Sequence, residues 1–345
     1  MNKVNDMKVL YAAKVIDYVQ LQQAQLLIKC FKAHQVDTDV ILAGDCLSRP
    51  ASKTLIKQIE QLQAGSCLIK HKPIRFTKTF RQKVSDIFSN RAHFKIANYD
   101  LVITDNESTV AWSAKFCGIP VMALGHHVAV NHHQLPFEGA NLTRIWQQWM
   151  IPADYRLGFH WIPFAENILP PIVPSYQTTC IKNKVVVYLP NEPLNAIEKL
   201  LESFPNTEFY CFHPHSENIS IGNIHFREDN YSQLVQDMKS CKGVMAHAQF
   251  EVINAALKMG KSILIKPLED ELSQTIDASL LIKLGWAKQM HYLNANAVED
   301  FIESDTQKAV SFSSDPCLLV EWIKAEKWHE INSLHNLAWN TLKVG

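Results

Sequence analysis

A polar turn between a predicted strand and a predicted helix is the part of this sequence best suited to bind a charged ligand. The apolar run Gly243–Ala246 predicts a buried strand, and a helical pattern of apolar residues begins at Phe250. Such a helix directs its first free N–H groups and the positive end of its dipole toward the preceding turn, which suits a diphosphate. We predict ligand contacts from the turn and the helix start, namely His247, Ala248, Gln249, Phe250 and Glu251. The alternative is that these residues serve only the turn and the helix dipole.

Gln274 and Asp277 are a second group of polar residues in the same half of the chain. Because they lie three positions apart, they share one face of the predicted helix Leu272–Lys283. Their side chains can hydrogen-bond sugar hydroxyls, and together with the turn at His247 they predict a nucleotide-sugar pocket. The alternative is that both residues belong to a solvent-exposed helix face.

Two carboxylates follow a predicted strand in the first half of the chain. Asp105 and Glu107 come after the strand Asp100–Thr104, and the carboxyl ends of parallel strands form a ligand-binding edge. Carboxylates at such an edge can take a proton from a hydroxyl group. The alternative makes Asp105 or Asn106 the N-cap of the following helix.

Four histidines stand in the segment LGHHVAVNHHQ, at the end of the predicted strand Val121–Leu124. The segment contains no Asp or Glu, and we predict no metal site there. Its position at the same sheet edge favours contacts of His126 and His127 with an acceptor substrate. Loop packing is the alternative.

Strand-like and helix-like segments alternate along the chain, which predicts parallel sheets. The strands are short and apolar on both faces, as buried parallel strands are, and lie at Lys8–Ala13, Asp39–Ala43, Ser66–Lys70, Asp100–Thr104, Val121–Leu124, Lys184–Leu189, Glu208–Phe212, Gly243–Ala246 and Ser262–Ile265. Helices are predicted at Val19–Ala33, Ser108–Phe116, Leu194–Ser203, Ser232–Met238, Phe250–Met259 and Leu272–Lys283.

One layout occurs in each half of the chain, namely strand, polar turn, helix, glycine and strand. Its two glycines, Gly118 and Gly260, fit a helix C-cap. Two Rossmann-like α/β domains that face each other across a cleft are the simplest architecture. We place the first domain at residues 1–165, a proline-rich linker at 166–179 and the second domain at 180–345. A long helical stretch from Asp315 onward can cross back to the first domain.

The composition is that of an ordinary globular protein, with 47% apolar residues and a net charge of zero when histidine is neutral. Such a charge argues against a nucleic acid partner bound through bulk charge. None of the eight cysteines has CxxC spacing, so we expect buried free thiols in a reducing compartment. The absence of a signal peptide and of a long apolar run predicts a cytoplasmic protein. The basic stretch from Lys70 to Lys83 can still dock on anionic lipid, with a solvated face as the alternative.

The sequence resembles the inverting GT-B glycosyltransferases, in particular the branch with the bacterial peptidoglycan N-acetylglucosaminyltransferase. The resemblance covers most of the chain and rests on segments that recur in family order: YDLVITDNESTVAWSAKFCGIPVMAL, VVVYLPNE, FPNTEFYCF, CKGVMAHAQFEVINAALKMGKSILIKPL and the helix with Gln274 and Asp277. It implies a nucleotide-sugar donor on the C-terminal domain and an acceptor on the N-terminal domain, without a required metal or other cofactor. It also implies that Asn191 lies near the diphosphate and that Asn254 binds a ribose hydroxyl.

The sequence departs from that family at positions that carry chemistry. The segment AAKVIDYVQ lacks the family's Gly-rich turn, and Gln20 stands where the family has a histidine. The resemblance then leaves Asp105, Glu107 and Asp17 as candidates for the general base that accepts the proton of the acceptor hydroxyl. Gln249 replaces a glycine, and Asn254 replaces a glutamate.

Three functions are compatible with these observations. The first is transfer of a sugar from a nucleotide-diphosphate sugar to a lipid or glycan acceptor, with inversion implied by the resemblance. The second is an inactive relative that binds a nucleotide sugar or a partner protein, which the departures favour. The third is a nucleotide-sugar epimerase, which shares the architecture.

Overall fold

The computed structural model describes residues 7–15, 18–48, 50–62, 67–70, 96–135, 145, 148–304, 309–311, 315–340 and 343–344. Asp17 and the basic stretch beyond Lys70 lie outside the described residues. The chain forms two compact units, Met1–Ile172 with Ser313–Thr341 and Val173–Phe312 with Leu342–Gly345. The chain therefore leaves the first unit after Ile172 and returns to it at Ser313.

The first unit is built on a seven-stranded sheet in the order β3-β2-β1-β4-β5-β6-β7. Each pair of neighbouring strands is parallel. The strands are β1 (Lys8–Lys14), β2 (Asp37–Ala43), β3 (Cys67–Lys70), β4 (Leu101–Asp105), β5 (Val121–Gly125), β6 (Tyr155–Phe159) and β7 (Ile168–Leu169). Their central residues are buried because helices cover a parallel sheet on both faces. The strand order reverses between β1 and β4. In parallel α/β sheets, ligands bind at such a switch point, outside the carboxyl ends of the strands.

The second unit repeats this plan in a seven-stranded sheet with the order β10-β11-β9-β8-β12-β13-β14. All neighbouring pairs are parallel except β10 with β11. The strands are β8 (Ile181–Tyr188), β9 (Glu208–His213), β10 (Ile219–Ile221), β11 (Ile224–Glu228), β12 (Cys241–Ala246), β13 (Ser262–Ile265) and β14 (Lys288–Gln289), with a separate antiparallel pair of β15 (Val310–Ser311) and β16 (Lys343–Val344). The switch point here lies between β8 and β12.

The described helices are mostly short elements that follow a strand. They are α1 (Tyr18–Ala33), α2 (Pro50–Leu62), α3 (Ser108–Phe116), α4 (His126–Val130), α5 (Leu194–Leu201), α6 (Tyr231–Ser240), α7 (Phe250–Lys258), α8 (Leu272–Lys283), α9 (Ala295–Glu303), α10 (Pro316–Lys324) and α11 (Ile331–Trp339). The parallel α/β fold predicted from the sequence is confirmed in both units. No helix in the described ranges has both the length and the apolar character to cross a bilayer.

The C-terminal stretch forms two helices of the first unit instead of one long helix. The indole Nε1 of Trp339 donates to the carbonyl oxygen of Ile168 in β7 at 2.7 Å. Cys317 in α10 is disulfide-bonded to Cys30 in α1. The expectation of a free thiol at Cys30 is therefore wrong. The two cysteines are 287 positions apart, so no local spacing in the sequence indicates the bond.

Gly44, at the end of β2, allows the backbone after β1 to approach closely. A methyl group on Gly44 would lie 1.8 Å from the carbonyl oxygen of Val15. We therefore expect Gly44→Ala to lower the free energy of unfolding by about 3 kcal/mol, because backbone atoms must move to make room. Gly118 is the control, since its φ is +73° and a methyl group there meets no described atom within 4 Å. Gly118→Ala should cost only about 1 kcal/mol, and equal losses in urea unfolding would contradict the packing argument.

Candidate functional site

The carboxyl edge of the second sheet brings the turn at His247 to the switch point. β12 ends at Ala246, and the turn residues lead directly into α7. Gln249 is the N-cap of this nine-residue helix and makes no side-chain capping bond. The side chain of Gln249 therefore does not occupy the first N–H groups of α7, the groups at which the sequence predicts diphosphate binding.

His247 is the most informative residue at this edge. Its side chain is 0% exposed, and its Nδ1 atom lies 2.7 Å from the carbonyl oxygen of Lys266. Because a carbonyl oxygen only accepts, Nδ1 carries the proton of the neutral ring. The Nε2 atom is buried and has no hydrogen-bond partner among the described residues. Burial lowers the pKa of His247, and a buried nitrogen without a partner among the described residues is uncommon in folded proteins.

An ion pair and a second histidine fix the loops around His247. The Nζ atom of Lys266, the residue after β13, lies 2.7 Å from a carboxylate oxygen of Glu192. Glu192 follows Asn191 in the turn after β8, and its carbonyl oxygen accepts a hydrogen bond of 3.0 Å from Nε2 of His213. The backbone N–H of His215 donates to the other ring nitrogen of His213. His213 therefore holds the turn at Asn191 in place, with both ring nitrogens already used.

Asn254 of α7 and Gln274 and Asp277 of α8 are buried, so the alternative of a solvent-exposed helix face for Gln274 and Asp277 is wrong. Gln274 is 4% exposed, while Asp277 and Asn254 are each 1% exposed. The amide oxygen of Gln274 accepts from the backbone N–H of Leu268 at 3.2 Å, and its nitrogen donates to Glu271 at 2.8 Å. Gln274 thus fixes the loop before α8. Asp277 and Asn254 remain the candidates for sugar and ribose hydroxyls.

The two carboxylates of the first unit differ in their surroundings. Glu107 is buried, and its side chain accepts a hydrogen bond of 3.1 Å from the backbone N–H of Thr109. Glu107 is therefore the N-cap of α3, a role that the sequence alternative gave to Asp105 or Asn106. Asp105 is the last residue of β4, and its side chain is 23% exposed. Of the two, Asp105 is the carboxylate free of a capping role.

His126 and His127 form the first turn of α4, directly after β5. The Nδ1 atom of His126 donates to the carbonyl oxygen of Phe159 at 3.1 Å. The Nδ1 atom of His127 lies 3.9 Å from Oδ1 of Asp105. Burial lowers the pKa of His127 to about 3, with the nearby His126 and Arg156 adding to the shift. The imidazole is therefore neutral at physiological pH, and its contact with Asp105 is not an ion pair under those conditions.

Gly125 makes the approach of Asp105 and His127 possible. Its φ is +135°, a region that only glycine adopts readily. A methyl group there would lie 2.6 Å from Oδ1 of Asp105 and 2.9 Å from Nδ1 of His127. Neither Gly125 nor Lys266 was predicted from the sequence as a site residue. Lys266 directly follows a predicted strand, which is the same signal that identified His247.

The chain is similar to known proteins in its sequence family and in its fold. The model of a family described as glycosyl transferase family 1 matches residues 70–304, more than half of the chain. A search of curated proteins finds no match. Among solved structures, the glycotransferase of kitacinnamycin is 11% identical with a TM-score of 0.60, over 98% of this chain and 100% of that chain.

Two further structures have the same fold. Staphylococcus aureus MnaA, solved with UDP, is 10% identical with a TM-score of 0.60, over 93% of this chain and 97% of that chain. Acinetobacter baumannii MurG is 12% identical with a TM-score of 0.55, over 97% of this chain and 100% of that chain. At these identities the structures show a shared GT-B-like fold, and the matched family model goes further. The chain belongs to glycosyl transferase family 1.

Proposed function

We propose that this protein is a glycosyltransferase whose nucleotide-diphosphate sugar binds at the carboxyl edge of the second sheet. The observation that carries the proposal is the buried, unpartnered Nε2 atom of His247 beside the start of α7. A diphosphate there would accept from the helix N–H groups and, once the ring gains a second proton, from Nε2 of His247. UDP is the first nucleotide to test, because MnaA, which has the same fold, was solved with it.

The proposed reaction is a displacement at the anomeric carbon of the donor sugar. The acceptor oxygen forms a bond to that carbon, the bond to the diphosphate oxygen breaks, and the nucleoside diphosphate leaves. Groups that stabilise the developing charge on the diphosphate lower the barrier, and His247 and the N-terminus of α7 are placed for this. Asp277 and Asn254 would bind sugar and ribose hydroxyls.

The proton of the acceptor hydroxyl needs a general base, and Asp105 is the candidate that we favour. It ends a strand at the ligand-binding edge of the first sheet and is not used as a helix cap. Glu107 stays a weaker candidate because its carboxylate already accepts from Thr109. Inversion and a lipid or glycan acceptor are part of the same proposal.

An inactive relative that binds the donor without turning it over is the second candidate. It is favoured by Gln20, which cannot act as a base near neutral pH, and by the capping role of Glu107. Product analysis separates the candidates, since transfer yields nucleoside diphosphate and a glycoside, while an epimerase yields a second nucleotide sugar. Donor binding without either product would support the inactive relative.

Hydrogen exchange in the presence of UDP tests the donor position. We expect saturating UDP to slow amide exchange in the segment His247–Glu251, because those N–H groups would bind the phosphates. Peptides from α9 serve as the internal control and should not change. Protection confined to the first unit would contradict the proposed donor site, and the absence of any UDP binding would argue against UDP as the nucleotide.

A further inference from the structure

A polar pocket in the first unit lies beside α4 and the start of β6. Its cavity volume is about 50 Å³, and it is lined by His127, His132, His133, Gln148, Arg156 and Asn167, among others. No carboxylate is among the described residues that line it. The pocket belongs to a different unit from the donor residues around His247, and the proposed reaction does not use Arg156.

Arg156 brings a charge into this pocket, and none of the described residues is its counterion. Its Nη2 atom donates to two backbone carbonyl oxygens, those of Gln148 at 3.2 Å and Ile151 at 2.8 Å. No carboxylate of the described residues forms an ion pair with it, and burial lowers its pKa. A guanidinium group has five N–H donors in a planar fork, so two carbonyl oxygens leave part of the fork for a ligand. Arg156 is partly buried, and a charge that is partly removed from water loses solvation that an anion would replace.

His127 supplies a second unpartnered polar group on the same pocket wall. Its Nε2 atom is buried and has no hydrogen-bond partner among the described residues. The ring is neutral, so one of its nitrogens carries a proton that can be donated. A cation and an imidazole nitrogen, neither with a partner of this kind among the described residues, therefore meet in one pocket.

We propose that this pocket binds an oxyanion group of a small molecule, a phosphate or a carboxylate, with Arg156 as its charged anchor and His127 as a second contact. The fork of a guanidinium matches two oxygens of either group, and such charge-assisted bonds are the strong ones. The inference goes beyond the proposed function, because it requires no nucleotide sugar and gives the first unit an anion site of its own.

Calorimetric titration of the full-length protein with inorganic phosphate tests the pocket, at constant ionic strength and with acetate as a parallel probe. Arg156→Gln should weaken phosphate binding by about 10- to 100-fold, because it removes a charge-assisted interaction. Arg227→Gln is the matched control, since Arg227 also donates to a backbone carbonyl but does not line the pocket. His247→Asn is the second control, because phosphate could also enter the donor site. Both controls should keep wild-type affinity for the pocket.

The outcomes separate the pocket from the donor site. Loss of binding in Arg156→Gln, with retention in both controls, supports the proposal, and a preference for acetate over phosphate assigns a carboxylate source. Loss in His247→Asn alone would place the phosphate at the donor site and overturn the proposal. Binding of neither probe, or equal binding by wild-type protein and Arg156→Gln, would also overturn it. If Arg156→Gln does not fold, Arg156→Lys is the replacement variant, because it keeps the positive charge but lacks the planar guanidinium group. It should bind phosphate about tenfold more weakly than the wild-type protein. Unchanged affinity would show that Arg156 does not anchor the oxyanion.

Discussion

Replacing Asp105 with asparagine is expected to lower the rate of sugar transfer by about 100- to 10,000-fold, which is the range typical for loss of a general base. The affinity for UDP should stay unchanged. The amide is isosteric with the carboxylate but cannot accept the proton of the acceptor hydroxyl. UDP affinity should not change because the donor residues lie on the second unit. Single-turnover assays, with an acceptor found by screening lipids and glycans, measure transfer, and calorimetry measures UDP binding.

Glu107→Gln is the matched control for this experiment. Its amide oxygen can still accept from Thr109, so we expect near wild-type transfer and a loss of at most about 1 kcal/mol in unfolding free energy. Asp17→Asn tests the remaining carboxylate. If all three variants keep full transfer activity, the base is elsewhere, and His126 and His127 are tested next. If the wild-type protein binds UDP but transfers to no acceptor, and Gln20→His restores nothing, the inactive relative is supported.

When UDP binds, His247 is expected to gain a proton. The variant His247→Asn is expected to bind UDP about 10- to 100-fold more weakly than the wild-type protein. The Nδ1 proton is already donated to Lys266, so Nε2 can donate to a phosphate oxygen only if the ring gains a second proton. In the free protein, burial lowers the pKa of His247, and the charge of Lys266 lowers it further. The carboxylates of Glu192 and Glu271 act in the opposite direction and raise it. A bound diphosphate would raise it, so affinity should increase as pH falls from about 8 toward 6.5.

Calorimetry in buffers with different ionisation enthalpies measures the proton uptake. Asparagine is a suitable replacement because its amide nitrogen can still donate to the carbonyl oxygen of Lys266, while the titrating nitrogen is removed. Above about pH 7.5 the terminal phosphate of UDP is largely ionised, so it contributes little to the difference between variants. Equal uptake by the wild-type protein and His247→Asn would assign the proton to another group and leave donor binding itself intact.

Local patterns allowed most of the sheet and helix elements to be predicted. The predicted bounds of Ser108–Phe116, Leu272–Lys283 and Ser262–Ile265 agree with the structure because each has a clear apolar pattern between turn residues. β6 was missed because Arg156 and Gly158 interrupt its apolar run, and β7 is too short to have a pattern. Both strands form through pairing with a neighbouring strand, which a local pattern does not indicate.

The candidate sites were predictable in position but not in detail. The rule that ligands bind at the carboxyl ends of strands located His247, Asp105 and His127 without any contact information. The cap of α3 was misplaced by one or two residues, because three capping-competent residues, Asp105, Asn106 and Glu107, stand in a row. The tautomer of His247 is set by its contact with the carbonyl oxygen of Lys266, and Arg156 has no carboxylate partner among the described residues. Both facts depend on which residues come together in the folded chain, so local sequence patterns do not show them.

The return of the chain to the first unit has a consequence for synthesis on the ribosome. Residues up to Ile172 emerge before the whole of Val173–Phe312, and α10 and α11 emerge only after that. Until then nothing from the C-terminal segment covers the helix that carries Cys30, and the carbonyl group of Ile168 lacks its partners His335 and Trp339. The nascent first unit thus exposes an unfinished sheet edge for the time needed to translate the second, and exposed edges of this kind promote aggregation of partly folded chains.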